Sequence, residues 1–361
     1  MSEETLPFVR LNLVPGLGPG RIDRLVRRFG GPAAALAASP ESWAETGCPL
    51  EVARAALSEE CLRAAEAEMD RAASLGARIL TPGDPSYPEP YRRIPLSPPV
   101  LYARGRVELL AGETAAVAIV GSRTPTGYGR EMAHRLASGV AAAGFVVVSG
   151  LARGIDSAAH RGALDVGGRT VAALASGFER PYPTEDPDLP ARIEAEGVLL
   201  TEFPLAVPAR KGHFPRRNRL ISGLALGTLV VEAAGRSGSL LTAQWALDQN
   251  RSVMAVPGRA DNQMARGSNG LLRRGAALIE EPEDILREIG GSVPAAAEPE
   301  EPLLASIGPG ATVDELCDAT GRPAEDLFVE LLRLEIAGRI RRCPGGIYRA
   351  NEAAAGGERS A

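Results

Sequence analysis

Residues 117–150 read VAIVGSRTPTGYGREMAHRLASGVAAAGFVVVSG. A short apolar run closes on Gly-Ser-Arg. A turn follows, then the amphipathic segment GREMAHRLASGVAAAG, then a second β-branched run, FVVVSG. Neither run alternates apolar with polar residues, so each strand is covered on both faces, as in a parallel sheet with helices on either side. The pattern recurs at TVAALASG, GVLLTEF, GTLVVEA and SVMAVPG, with helical segments such as GSLLTAQWALDQN between them. Strands alternating with helices predict an α/β fold, a Rossmann-like doubly wound domain with an extended, mostly parallel sheet over residues 79–290.

The flanks read differently. Residues 1–78 are helical in pattern and carry LNLVPGLGPGRIDRLVRRFGG, a hydrophobic-Gly-x-Gly turn before a basic helix. This is a helix-hairpin-helix or SAM-like N-terminal domain, which either holds a phosphate on backbone N–H groups or serves only as a helical packing unit. SVPAAAEPEEP, within residues 291–302, has the composition of an acidic linker. Residues 303–350 show three apolar-periodic helices and a hairpin, IRRCPGGIYR, which predicts a winged helix. Its acidic segment RPAEDLFVELLRLEIAG suits protein contact better than major-groove reading. Residues 351–361 form a polar tail expected to be disordered.

The chain has 361 residues, 45% of them hydrophobic, and a formal net charge of -5. No apolar run is long enough to span a membrane, and the N-terminus lacks a secretory h-region, so the expected compartment is the cytoplasm. Cys48, Cys61, Cys317 and Cys343 are scattered without a CxxC pair, and no histidine stands at metal-ligand spacing, so neither disulfide nor metal is expected. Lys211 is the only lysine. Between Glu202 and Glu232 no acidic residue occurs, yet Arg210, Lys211, Arg216, Arg217 and Arg219 fall within ten positions. An acidic chain therefore carries one local basic patch, around Phe214 and the start of an apolar-periodic helix.

Strands of a parallel sheet end on one edge, where ligands meet helix N-termini. The segments following the strands here are GSRTPTGYG, SGLARGID, SGFERPYP, the basic loop up to HFPRRNR, AAGRSGS and PGRADNQMARGSN. Glycine admits close approach of backbone N–H groups to an anion, and Arg123, Arg153, Arg236 and Arg266 add charge, so the edge reads as a site for several phosphates. The GxGxxG dinucleotide fingerprint with its acidic partner is absent, as is GxxxxGK[ST], which excludes NAD and a P-loop nucleotide. No cofactor is implied. Asp156, Ser157 and His160 are catalytic residue types, but their spacing on a helix start predicts capping and packing instead of a triad.

GSRTPTGYG, SGLARGIDSAAHRGAL, SGFERPYP, TEFPL, HFPRRNRLISGL, SGSLLTA, AVPG and GSNGLLRRGA, in this order, resemble the DNA-processing protein A family (DprA, or Smf), as does GDPSYPEPYRRIPLSPPVLYARG upstream. The resemblance implies a non-catalytic protein that binds and protects incoming single-stranded DNA, dimerises through its Rossmann-like domain and loads the RecA recombinase during natural transformation. By motif it carries DNA binding to Arg123, Lys211 and Phe214, and to Arg216 and Arg217. Gly121, Ser122, Gly150, Gly154, Asn218, Arg219, Gly238, Ser239, Gly267 and Ser268 fall in the matching loops. For Arg219 the competing expectation is an ion pair with Glu232 or Asp156, and for Phe214 a place in the core. A second functional class stays open. VVEAAGRSGSLLTA loosely echoes the nucleotide-site loop of phosphoribohydrolases, with Glu232 as the acid.

Overall fold

All six apolar runs form strands. The structure, a computed structural model, describes residues 4–112, 114–181 and 186–290, and toward the C-terminus 302–307, 310–324, 327–328, 331, 334–335, 339–343 and 346–350. The strands are β1 (Arg78–Leu80), β2 (Leu101–Gly105), β3 (Ala116–Val120), β4 (Val146–Ser149), β5 (Thr170–Ala173), β6 (Val198–Thr201), β7 (Gly227–Val230), β8 (Ser252–Ala255) and β9 (Ala277–Leu278). They form one nine-stranded sheet in the order β1-β2-β6-β5-β4-β3-β7-β8-β9. From β6 to β9 every pairing is parallel; β2 pairs antiparallel with both β1 and β6.

Chain order explains where a crevice opens. From β3 the chain moves outward through β4, β5 and β6, then returns to lay β7 on the other side of β3, with Val117 opposite both Val147 and Gly227. Such a reversal leaves a gap between loops at the carboxyl edge of the sheet. Both faces of β3 are buried as its sequence demands. Val117 and Ile119 pack with Leu136 and Val140 of helix Gly127–Ala142, whereas Ala118 and Val120 pack with Leu220 and Leu224 of helix His213–Leu224.

Six helices between Thr5 and Ser74 precede the sheet. Sequence reading treats residues 1–78 as a domain of their own, but residues 1–291 form one compact unit. The reason is a shared core. Phe8, Leu11 and Trp43 belong to the same apolar cluster as Tyr102 of β2, Ala172 of β5 and Leu199 of β6. A buried carboxylate ties the layers as well, since Glu68 accepts the Leu205 N–H at 2.7 Å and pairs with Arg71 at 2.9 Å.

Residues 292–361 make a second unit. Its described part holds helices Pro302–Ile307 and Val313–Thr320 and the antiparallel strands Ile340–Cys343 and Ile347–Ala350, the arrangement of a winged helix. Thr312 and Glu315 form a capping box, and Leu303, Ile307, Leu316 and Tyr348 share its core. The expected linker, Pro302 apart, and the expected tail lie outside the described residues.

Candidate functional site

A cavity of about 690 Å³ opens at the reversal between β3 and β7. Its walls are the loops after the strands: Gly121, Ser122 and Arg123 after β3, Ala152 and Asp156 after β4, Arg210, Lys211 and Phe214 after β6, and Ser237, Gly238 and Ser239 after β7. Helices His213–Leu224 and Ser239–Asp248 both begin here, so their N-terminal dipoles add positive potential to that of the side chains.

The arginines of HFPRRNR are not equivalent. Arg219 is 1% exposed and its Nη2 lies 2.5 Å from Glu202 Oε2; Arg216 Nη2 lies 2.8 Å from the same oxygen. Arg217 is buried and donates to the carbonyls of Gly150 and Ala173. Burial lowers the Arg217 pKa to about 10, against the attraction of Asp156. Of the three, only Arg217 lines the cavity. This corrects the expectation that Arg219 faces a phosphate: its guanidinium is held inside by Glu202, and neither Glu232 nor Asp156 is its partner.

Exposed charge at the cavity comes instead from Arg123, Arg210 and Lys211. Among the described residues none of them has a carboxylate within 4.0 Å. The Arg123 guanidinium stands 4.5 Å from the centroid of the Phe214 ring, a cation–π contact. Phe214 is half-buried and lines the cavity, so it does not take the core position offered as its alternative. Arg210 was missed as a site residue, although its place beside Lys211 in an acid-free stretch was the available signal.

Several other expected residues support the loops from behind. Gly154, at φ +85°, lets the β4 loop back onto the Ser122 carbonyl, and a Cβ on Gly150 would run into the Arg217 guanidinium. Gly267 donates to the Ala233 carbonyl at 2.7 Å, and buried Ser268 donates to that of Ala265 at 3.2 Å. None of these four lines the cavity. Asn218 does, and its Nδ2 donates to the Gly238 carbonyl at 3.2 Å, joining the two helix starts.

Asp156, Ser157 and His160 form no triad. The Asp156 carboxylate accepts the Ala152 N–H at 3.3 Å, Ser157 donates to the Ala152 carbonyl at 2.8 Å, and His160 Nδ1 meets Thr170 Oγ1 at 2.6 Å. Burial raises the Asp156 pKa, with Arg217 opposing the shift, and burial lowers that of His160 to about 3. The unfolded imidazole protonates near 6.5, so between that pH and about 3 the unfolded state binds more protons. This contribution is fully present above pH 6.5 and falls by about 1.4 kcal/mol per pH unit as the solution is acidified. Asp156 works in the opposite sense, and the comparison is therefore with His160→Gln. Urea midpoints measured from pH 7 to 4 should decline more steeply for the native chain than for that variant; equal slopes would show that His160 titrates normally.

Glu232 is committed to structure. Its Oε1 accepts from Thr126 Oγ1 at 2.7 Å and its Oε2 from the Thr126 N–H at 2.9 Å, where helix Gly127–Ala142 begins. It does not line the cavity.

The family model for DNA recombination-mediator protein A matches residues 78–290, from β1 to the end of the sheet unit. The chain belongs to the DNA recombination-mediator protein A family. The model of the DprA winged helix domain matches residues 291–346. Protein Smf of Escherichia coli is 41% identical over 274 residues, 71% of this chain and 73% of that protein. The X-ray structure of DprA from Streptococcus pneumoniae superposes with a TM-score of 0.69 at 29% identity, covering 80% of this chain and 98% of that one. DprA from Helicobacter pylori, whose structure is described for its single-stranded DNA binding mode, gives 0.53 at 29% identity over 58% of this chain and 94% of that one. The family model thus spans the whole cavity and begins at β1.

Proposed function

We propose that this chain binds single-stranded DNA at the cavity between β3 and β7, without catalysis, and passes the strand to a RecA-type recombinase during transformation. The observation that carries the reading is the set of exposed cations Arg123, Arg210 and Lys211 around the half-buried ring of Phe214. Phosphates are held by charge, which takes no account of whether bases are paired. A ring at the site adds stacking, which an unpaired base offers freely and a duplex base only after unstacking. The Helicobacter pylori relative, described as binding single-stranded DNA, supports the same ligand. Membership of a recombination-mediator family supports a recombination partner, and the proposal extends to a cytoplasmic setting and a homodimer formed through the sheet unit. The phosphoribohydrolase alternative loses its acid, because the Glu232 carboxylate caps a helix away from the cavity.

Anisotropy titrations of labelled single-stranded and duplex DNA test the reading. Phe214→Ala should weaken single-strand binding by roughly 1–3 kcal/mol and leave weak duplex binding and its salt slope nearly unchanged. Equal losses on both substrates would make the ring a packing element.

A further inference from the structure

The second unit changes sign at its hairpin. Residues 313–335 hold seven acidic side chains and two arginines, whereas residues 336–351 hold four arginines and no acid. Strand pairing sets Ile340 opposite Ala350, Arg341 opposite Arg349, Arg342 opposite Tyr348 and Cys343 opposite Ile347. Residues directly opposite share a face, and the faces alternate along each strand. Buried Ile340 and Tyr348 mark the core face, so Arg341 and Arg349 stand side by side on the outer one, both exposed. Like charges directly opposite destabilise an antiparallel pair, and among the described residues no carboxylate forms a salt bridge with either arginine. The neighbouring groups are engaged elsewhere: Glu335 accepts the Arg342 N–H at 3.3 Å, and the Arg342 guanidinium stands 5.8 Å from the Tyr348 ring centroid. The outer face thus presents two uncompensated cations that folding does not need.

We propose that this outer face of the hairpin binds the phosphate backbone of duplex DNA, a contact separate from the single-strand cavity and independent of it. The described residues of the face, Arg341, Cys343, Ile347 and Arg349, include no aromatic ring. An unpaired base therefore gains no stacking there, and charge alone is recognised. Duplex DNA carries one charge per about 1.7 Å of its axis, against about 3.4 Å for one of its strands, and each contact to it releases more counterion. A face that recognises only charge takes the duplex over the single strand. Helix Val313–Thr320 carries Asp314, Glu315 and Asp318, which the same phosphates repel, so the contact belongs to the hairpin and leaves base edges unread. The ring of Phe214 gives the cavity the opposite preference, so the two units hold the two forms of DNA.

The test uses the full chain, with anisotropy of a labelled duplex and of a labelled single strand followed across a salt series. Arg341→Ala combined with Arg349→Ala should lower the duplex slope of log K against log salt by about 1.8, two contacts at about 0.9 each, which is about a thirtyfold loss of affinity at about 0.15 M salt. Single-strand affinity should hardly change. Arg341→Lys combined with Arg349→Lys keeps both charges and should bind duplex as the native chain does. The melting temperature of the alanine variant should hold or rise, since a repulsion is removed; a fall would make the pair structural and overturn the proposal. An unchanged duplex slope would also overturn it and leave the hairpin to an acidic protein surface. Equal losses on both substrates would overturn the preference for duplex. None of these outcomes touches the cavity, whose reading stands or falls with Arg123, Lys211 and Phe214.

Discussion

Replacing Arg123 and Lys211 together by alanine should weaken single-stranded DNA binding by about a hundredfold, taking about 1.5 kcal/mol for each charge-assisted contact. Both side chains are exposed at the cavity, and among the described residues neither is drawn off by a carboxylate. Each phosphate contact to a single strand contributes about 0.7 to the slope of log K against log salt, so the slope should fall by about 1.4 in the double variant. Folding should survive, because no buried group loses a partner. Arg216→Ala provides the internal contrast. Its guanidinium is held by Glu202 and lies over the Phe203 ring at 5.1 Å, so the salt slope should hardly move. A double variant with an unchanged slope would place Arg123 and Lys211 outside the path of the strand.

The second large effect concerns stability. Glu202→Ala should cost about 3–5 kcal/mol, because it strands the Arg219 guanidinium, 1% exposed, without a counter-charge. For a unit of this size the melting temperature should drop by roughly 6–15 °C. Glu202 directly follows β6, while Arg219 sits in the helix His213–Leu224, so the pair fixes that helix to the sheet. The Glu202 carbonyl also accepts from Asn12 Nδ2 at 3.4 Å, linking this corner to the N-terminal helices. Glu202→Leu combined with Arg219→Met removes both charges and should recover most of the loss, since well-packed apolar pairs replace buried ion pairs at little cost. A melting temperature unchanged in Glu202→Ala would mean that Arg219 reaches water and that the pair is not buried in solution.

The strands were legible because their signal is local. A run such as VAIV or FVVV has no polar face, and the glycines after it mark the turn, so six strands and their common edge follow from short stretches alone. The antiparallel β1 and β2 were missed, because three to five residues such as RIL and LYARG carry too little periodicity to stand apart from loop. Residues 1–78 were legible as helices but not as part of the sheet unit. An apolar helix face shows that something covers it, and only packing shows that the cover includes Tyr102 and Leu199.

The candidate site divides the same way. Sequence alone determined that the glycine-rich loops after the strands gather on one edge and that basic charge collects near Phe214, since both follow from short stretches of the chain. Only the tertiary structure decided which cations face the cavity. Arg216, Arg217 and Arg219 stand within four positions of one another, yet their partners are Glu202 in one strand segment and the carbonyls of Gly150 and Ala173 in others. A helix start puts successive side chains about 100° apart, and what each then meets depends on segments from 14 to 67 residues away. Arg123 reaches the Phe214 ring only because β3 ends, and the helix after β6 begins, at the same crevice.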